Sequence, residues 1–181
     1  MPRLRGRFGR EYVYVAGTPS TQRLLAADAP EGAVAVADEQ TEGRGRLGRR
    51  WEAPAGTSLL CSVQLRPRVD SARLPELTVV GAEACREAIA IVTGLPTALK
   101  EPNDVLIRGR KAAGVLGEAN DGRVVLGVGI NVNVAAADLP REVRVPATSL
   151  LVESGATIDR RTLLIELLDA LERRYDAWSA A

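Results

Sequence analysis

The chain has 181 residues, 46% of them hydrophobic, with 24 Lys+Arg against 23 Asp+Glu. That length predicts one globular domain, residues 1–181, able to bury a core, and a formal charge of +1 argues against a dedicated nucleic-acid protein. Histidine is absent, which removes His bases, His nucleophile triads and His metal ligands together, and neither a membrane-length apolar run nor a secretory signal is expected.

Residues 1–10 carry Arg3, Arg5, Arg7 and Arg10 and are expected to form a basic arm without fixed order. Tyr12-Val13-Tyr14-Val15 reads as a strand and Gly17-Thr18-Pro19 as a turn. Ser20 or Thr21 can cap a helix carrying Leu24 and Leu25. A buried strand follows at 33–37, then a Gly/Arg loop, a turn marked by Pro54 and Gly56, and a strand at 58–65. The spacing of Leu77, Val80, Ala84 and Ala88 predicts a helix over 74–92. Strands are expected at 97–99, 105–107, 112–118 and 124–132, and an amphipathic helix at 159–178. Cys61 and Cys85 lie in apolar runs without metal-like spacing, as reduced core residues of a cytoplasmic protein would. Meander groups of strands with helices segregated between them predict an α+β fold with a largely antiparallel sheet.

The loop reads Gln40-Thr41-Glu42-Gly43-Arg44-Gly45-Arg46-Leu47-Gly48-Arg49-Arg50-Trp51. Glycines let a ligand approach the main chain, and each arginine offers a planar fork suited to phosphate or carboxylate. Trp51 can stack on a flat ring or pack against the folded loop. Ordering such a segment costs entropy, so the expectation is a loop mobile when empty and closed over an anion when filled. The competing reading is a basic surface loop that touches nucleic acid.

Lys100-Glu101-Pro102-Asn103-Asp104 is a tight turn. It is either a turn and no more, or a place where Lys100 meets a phosphate and Asn103 and Asp104 meet Mg²⁺ or its waters. Lys111 begins a strand, and Gly114 in mid-strand signals close approach by a ligand or by backbone. In Gly127-Val128-Gly129-Ile130-Asn131-Val132-Asn133 the glycines leave one sheet face bare for a flat ligand, whose edge Asn131 can read.

In this order, Ser20-Thr21-Gln22, Gln40 with the Gly43 to Trp51 loop, the Lys100 turn, Lys111-Ala112-Ala113-Gly114, the Gly127 strand and Ala147-Thr148-Ser149-Leu150 resemble the biotin protein ligase family. The resemblance implies a mixed sheet flanked by helices, akin to class II aminoacyl-tRNA synthetases. It implies a two-step reaction in which biotin and ATP give biotinyl-AMP, and the biotinyl group then passes to a lysine of a carboxyl-carrier domain. It implies that Arg44, Gly45, Arg46 and Lys111 meet biotin and the adenylate phosphate, with Lys111, Arg44 and Arg46 steadying charge as it builds. Ser20, Thr21, Gln22 and Gln40 would serve the ureido head, with Gly114 beside them. Trp51, Asn131, Lys100, Asn103 and Asp104 would serve the nucleotide, with Mg²⁺ arriving on ATP, near Asp104.

The sequence departs from the family pattern at Glu101, where tryptophan is usual, at Gln22 for asparagine and at Leu47 for a polar residue. Neither an N-terminal helix-turn-helix nor a C-terminal SH3-like barrel is expected, which disfavours a repressor role. A free sheet edge allows a homodimer. Two alternatives remain: a lipoate- or octanoate-type acyl-transferase, and a biotin or biotinyl-AMP binder without turnover.

Overall fold

A computed structural model describes residues 4–141 and 144–181. Its strands are β1 (Tyr12–Thr18), β2 (Val34–Gln40), β3 (Ser58–Leu65), β4 (Thr97–Lys100), β5 (Asp104–Ile107), β6 (Arg110–Asn120) and β7 (Arg123–Asn131). Its helices are α1 (Glu76–Thr93), α2 (Leu150–Ser154) and α3 (Arg160–Ala180). The seven strands form one sheet in the order β1-β2-β3-β7-β6-β5-β4. Only β1 and β2 pair in parallel; every other neighbour is antiparallel, as the meander pattern predicts.

Side chains alternate across a strand, so each strand serves two faces. Leu59, Cys61, Val63 and Leu65 of β3 join Leu126 and Ile130 of β7 on the face covered by α1 and α3. Gly81 of α1 lets that helix sit directly on Leu126 and Val115; a Cβ there would fall 2.6 Å from Leu126 Cδ2. Leu163, Leu167 and Leu171 of α3 are fully buried, each contributing about 1.5–3 kcal/mol through the hydrophobic effect. Asp159 starts α3 by accepting from the N–H groups of Arg161 and Thr162, and Gly94, in the left-handed region at φ 70°, ends α1.

The opposite face of β3, β6 and β7 carries Ser62, Gly114, Gly127, Gly129 and Asn131. Small and polar residues there leave room for the Gly/Arg loop, which follows β2.

Two expectations are corrected, and one short helix is not foreseen. The helix after Ser20 is a single 3₁₀ turn, Thr21–Leu24, too short to bury a helical stripe. Residues 5–8 are fixed rather than free: Phe8 is 1% exposed against Tyr175, and Arg7 pairs with Glu172 (2.9 Å), Asp176 (2.6 Å) and Glu31 (3.4 Å). The charge that reads as a free arm is taken up by Glu31 and by carboxylates of α3 more than 160 residues away; Arg3 lies outside the described residues. Finally, α2 is not evident from periodicity, because five residues are too few to show it; Ser149 caps it by accepting from the Val152 N–H. Both cysteines are buried, and burial pushes the Cys61 thiol up to about 12, which leaves it inert at neutral pH.

Candidate functional site

One cleft of ≈ 650 Å³ gathers Ser20, Thr21, Gln22, Gln40, Arg44, Gly45, Arg46, Trp51, Asn103, Asp104, Lys111, Gly114 and Asn131. Lys100 is the one sequence-stated site residue outside it. It ends β4, the last strand of the sheet, with its side chain exposed; its ladder partner Asp104 shares its face but lies on β5, one strand nearer the cleft. Arg49, Arg141 and Arg144 also line the cleft. Arg141 and Arg144 escaped the sequence reading because no local motif marks them; only the tertiary path of the segment after β7 brings them here.

The cleft has a polar end built from the 3₁₀ turn and β2. Gln40 Oε1 accepts from the Thr21 backbone N–H (2.8 Å) and from its hydroxyl (3.1 Å). Gln22 lies over Gly127 and donates from Nε2 to the carbonyls of Leu116 and Val125, both at 3.3 Å. A Cβ at Gly127 would meet that amide at 3.2 Å, so the glycine is what admits the longer side chain.

The floor is set by register. Gly129 of β7 stands opposite Gly114 of β6 and Leu60 of β3. Trp51 lies on this floor: a Cβ on Gly129 would come within 2.6 Å of Trp51 Cε2, and one on Gly114 within 3.2 Å of Cζ3. The face expected to be bare for a flat ligand is therefore covered by the protein's own indole. Of the two uses open to Trp51, the structure adopts packing. Its Nε1–H is buried without an acceptor among the described residues, and Lys111 Nζ stands 5.8 Å from the ring centroid.

The loop itself is folded. Gly45 N–H donates to Arg49 O (2.7 Å), Trp51 N–H to Gly43 O (2.9 Å), and Arg44 bridges to Arg50. Leu47 turns the loop in the left-handed region at φ 59° and is 87% exposed, which accounts for the loss of a polar side chain there having no contact to disturb. Arg46 donates to Asn103 Oδ1 (3.2 Å), tying the loop to the β4–β5 turn, and Arg44 pairs with Glu118 (3.0 Å). Asn103 is held in turn by donating to Val115 O (3.2 Å).

Lys111 is positioned from two sides. Its N–H donates to Pro146 O (2.7 Å), its carbonyl accepts from Thr148 N–H (2.8 Å), and Nζ pairs with Asp104 at 2.7 Å. Asp104 Oδ1, though that close to a cation, is buried without an aligned hydrogen bond. Asn131 Nδ2 donates to Thr148 O (3.0 Å), which leaves its carbonyl oxygen toward the cleft. Behind this corner lies Glu153, whose side chain is wholly buried. It accepts from Thr148 Oγ1 (2.6 Å) and pairs with Arg108 (3.1 Å) and Arg110 (2.7 Å). No cluster of three metal-ligating side chains exists among the described residues.

Residues 14–135 match the model of the biotin/lipoate A/B protein ligase family. The chain is 40% identical over 176 residues to the bifunctional ligase/repressor BirA of Bacillus spizizenii, covering 92% of this chain and 54% of that protein. It is 41% identical over 181 residues to the biotin–[acetyl-CoA-carboxylase] ligase of Mycobacterium tuberculosis, covering 95% and 66%. It therefore spans about half the length of the Bacillus relative. Among solved structures, the biotin protein ligase of Aquifex aeolicus in complex with biotin and ATP superposes with a TM-score of 0.84 at 33% identity, over 94% of this chain and 72% of that one. The family model spans two thirds of the chain and the Mycobacterium and Bacillus relatives are about 40% identical to it, and the chain belongs to the biotin/lipoate A/B protein ligase family.

Proposed function

We propose that the chain activates biotin with ATP to biotinyl-5′-AMP and passes the biotinyl group to a lysine of a biotin carboxyl-carrier domain. The observation that carries this reading is the polarity of the cleft, with neutral hydrogen-bonding groups at one end and a cation cluster at the other. Thr21 and Gln40 suit an uncharged polar ring. Lys111, Arg44, Arg46 and Arg49 suit the second region, where a carboxylate must approach the α-phosphate of a nucleotide. Two anions repel, so the cations lower the barrier by stabilising charge that grows in the transition state. Lys111 is the group we assign to the oxygens at the reacting centre, and Asp104 fixes the position of its ammonium.

Trp51, Asn131 and the turn at Asn103 and Asp104 are assigned to the nucleotide. Mg²⁺ prefers phosphate oxygens and water with one or two carboxylates; Asp104 Oδ1 is taken by Lys111 Nζ at 2.7 Å, so the other oxygen of that carboxylate would be the one to meet the metal or its waters. The metal would shield the leaving pyrophosphate. In the second step the nucleophile is the carrier's lysine and AMP leaves, so this chain needs no nucleophile of its own. The folded Gly/Arg loop would keep water from the mixed anhydride until the carrier arrives. A cytoplasmic, DNA-independent enzyme, with a homodimer formed at a sheet edge, completes the proposal.

The test is incubation with ATP, Mg²⁺, biotin and a carrier domain, followed by intact-mass analysis of the carrier. The expected result is one biotinyl adduct, with no adduct when lipoate replaces biotin. Pyrophosphate release without any adduct would instead mark an adenylate-holding protein, and a lipoyl adduct would mark the other branch of the family.

A further inference from the structure

Ser62 lies on β3, fully buried, opposite Gly127 of β7 and Ala35 of β2. It does not line the cleft, and no sequence motif draws attention to it. Its Oγ is 2.7 Å from Thr21 Oγ1.

The direction of every bond here follows from one fixed point. A backbone N–H can only donate, so the Gln40 atom 2.8 Å from Thr21 N must be the carboxamide oxygen. The Thr21 hydroxyl, 3.1 Å from the same oxygen, must therefore donate to it as well. With its proton committed, Thr21 Oγ1 can only accept from Ser62, whose hydroxyl has no other partner among the described residues. The chain runs one way: Ser62 donates to Thr21, and Thr21 donates to Gln40. Gln40 Oε1, holding two donors, is occupied. The free end of the carboxamide is its NH₂, which no described residue accepts from. It lies on the loop side, where a Cβ at Gly43 would stand 3.2 Å from Nε2.

We propose that Ser62 is a positioning residue that steadies the cleft's polar end. The Thr21 N–H already fixes which way the Gln40 carboxamide faces. By donating to Thr21 Oγ1, Ser62 commits that hydroxyl to Gln40 as a second donor, so that the carboxamide NH₂ is held as a donor to the carbonyl of a neutral cyclic urea. This rests on the biotin reading above and deepens it. Without the Ser62 hydroxyl, the buried Thr21 oxygen loses its donor and the threonine proton is free to turn. The preference for a strong acceptor over a weak one then falls.

The experiment uses the full chain and two variants, Ser62→Ala and Ser62→Cys, whose thiol is a weaker donor of similar size. Calorimetry without nucleotide measures binding of biotin and of its thioureido analogue, in which a weakly accepting sulfur replaces the ring oxygen. For Ser62→Ala the expected loss of biotin affinity is about tenfold, in line with a buried acceptor left unpaired. The preference for biotin over the analogue should shrink by a similar factor, with Ser62→Cys between the wild type and alanine. KM for ATP and kcat at saturating biotin should stay within about twofold, because the relay touches binding and not the reacting atoms. Should Ser62→Ala fail to fold, Ser62→Cys carries the comparison. Unchanged discrimination in a folded variant, or equal losses in ATP and biotin parameters, overturns the proposal and leaves Ser62 a packing residue. Failure of the wild type to bind biotin at all would instead overturn the functional reading.

Discussion

Gly129→Ala tests the glycine floor directly. The added methyl would lie 2.6 Å from Trp51 Cε2, 2.8 Å from Cζ2 and 2.9 Å from Cδ2. Ordinary contact begins near 3.4 Å, so the indole must retreat by several tenths of an ångström or leave. β7 cannot yield, since it is paired on both sides by β3 and β6. The strain falls on the loop, at the usual overpacking cost of about 1–3 kcal/mol. That energy opens the loop before it unfolds the sheet. Escape of biotinyl-AMP from the cleft should accelerate by about 10- to 100-fold, the kinetic equivalent of such a cost. Tm should fall by only a few degrees, about 2–4 °C for each kcal/mol felt globally. The assay is dissociation of labelled adenylate, read beside tryptophan emission in a Trp178→Phe background that isolates Trp51. Gly17→Ala is the control, since a Cβ there meets nothing within 4 Å. Adenylate held as long by Gly129→Ala as by wild type, with Trp51 emission unmoved, would refute the reasoning.

Lys111→Ala should slow pyrophosphate release by about 100-fold, the loss typical of one preorganised donor, while biotin affinity changes far less; stopped-flow and calorimetry separate the two, and an intact rate removes Lys111 from its role. Glu153→Ala should cost about 1–3 kcal/mol in urea unfolding, because the buried Thr148 hydroxyl and two arginines lose their acceptor; a neutral result would mean that this corner is held by backbone alone. The hydrogen bond from Arg7, opposed by partial burial, holds the Asp176 carboxyl below its ordinary range. A folded-state value below the unfolded one stabilises at neutral pH and ceases to do so as the pH falls through it. The wild type should thus exceed Asp176→Asn by a fraction of about 1 kcal/mol near pH 7, given the exposure of the pair, and lose that margin in acid. A gap that widens on acidification would contradict the assignment.

The sequence made the strands legible because β3 and β7 alternate branched residues with small ones, and α1 and α3 repeat their leucines and alanines at helical spacing. The site was legible wherever function demands an unusual local composition, as in the loop from Gly43 to Trp51. What escaped depends on distance in the chain. Lys100 sits in the right motif, but it ends the edge strand of the sheet, and strand order is not written in the motif. Ser62 is one small polar residue in an apolar run, and only the fold brings it to Thr21. Gly129 was legible as a gap, yet what fills the gap is set by the loop's path and not by the strand. The charges of Arg5 and Arg7 look free until α3 presents its acids.

That last contact bears on how the molecule is made. Arg7 and Phe8 leave the ribosome well before the carboxylates and ring that receive them, Glu172, Asp176 and Tyr175, which are translated more than 160 residues later. Until α3 is made Phe8 has no permanent berth, so the nascent chain keeps a greasy side chain uncovered. Closure of this clasp must wait until α3 has been made, and protection from solvent exchange of the Phe8 amide, which donates to Glu172, would report when α3 has docked.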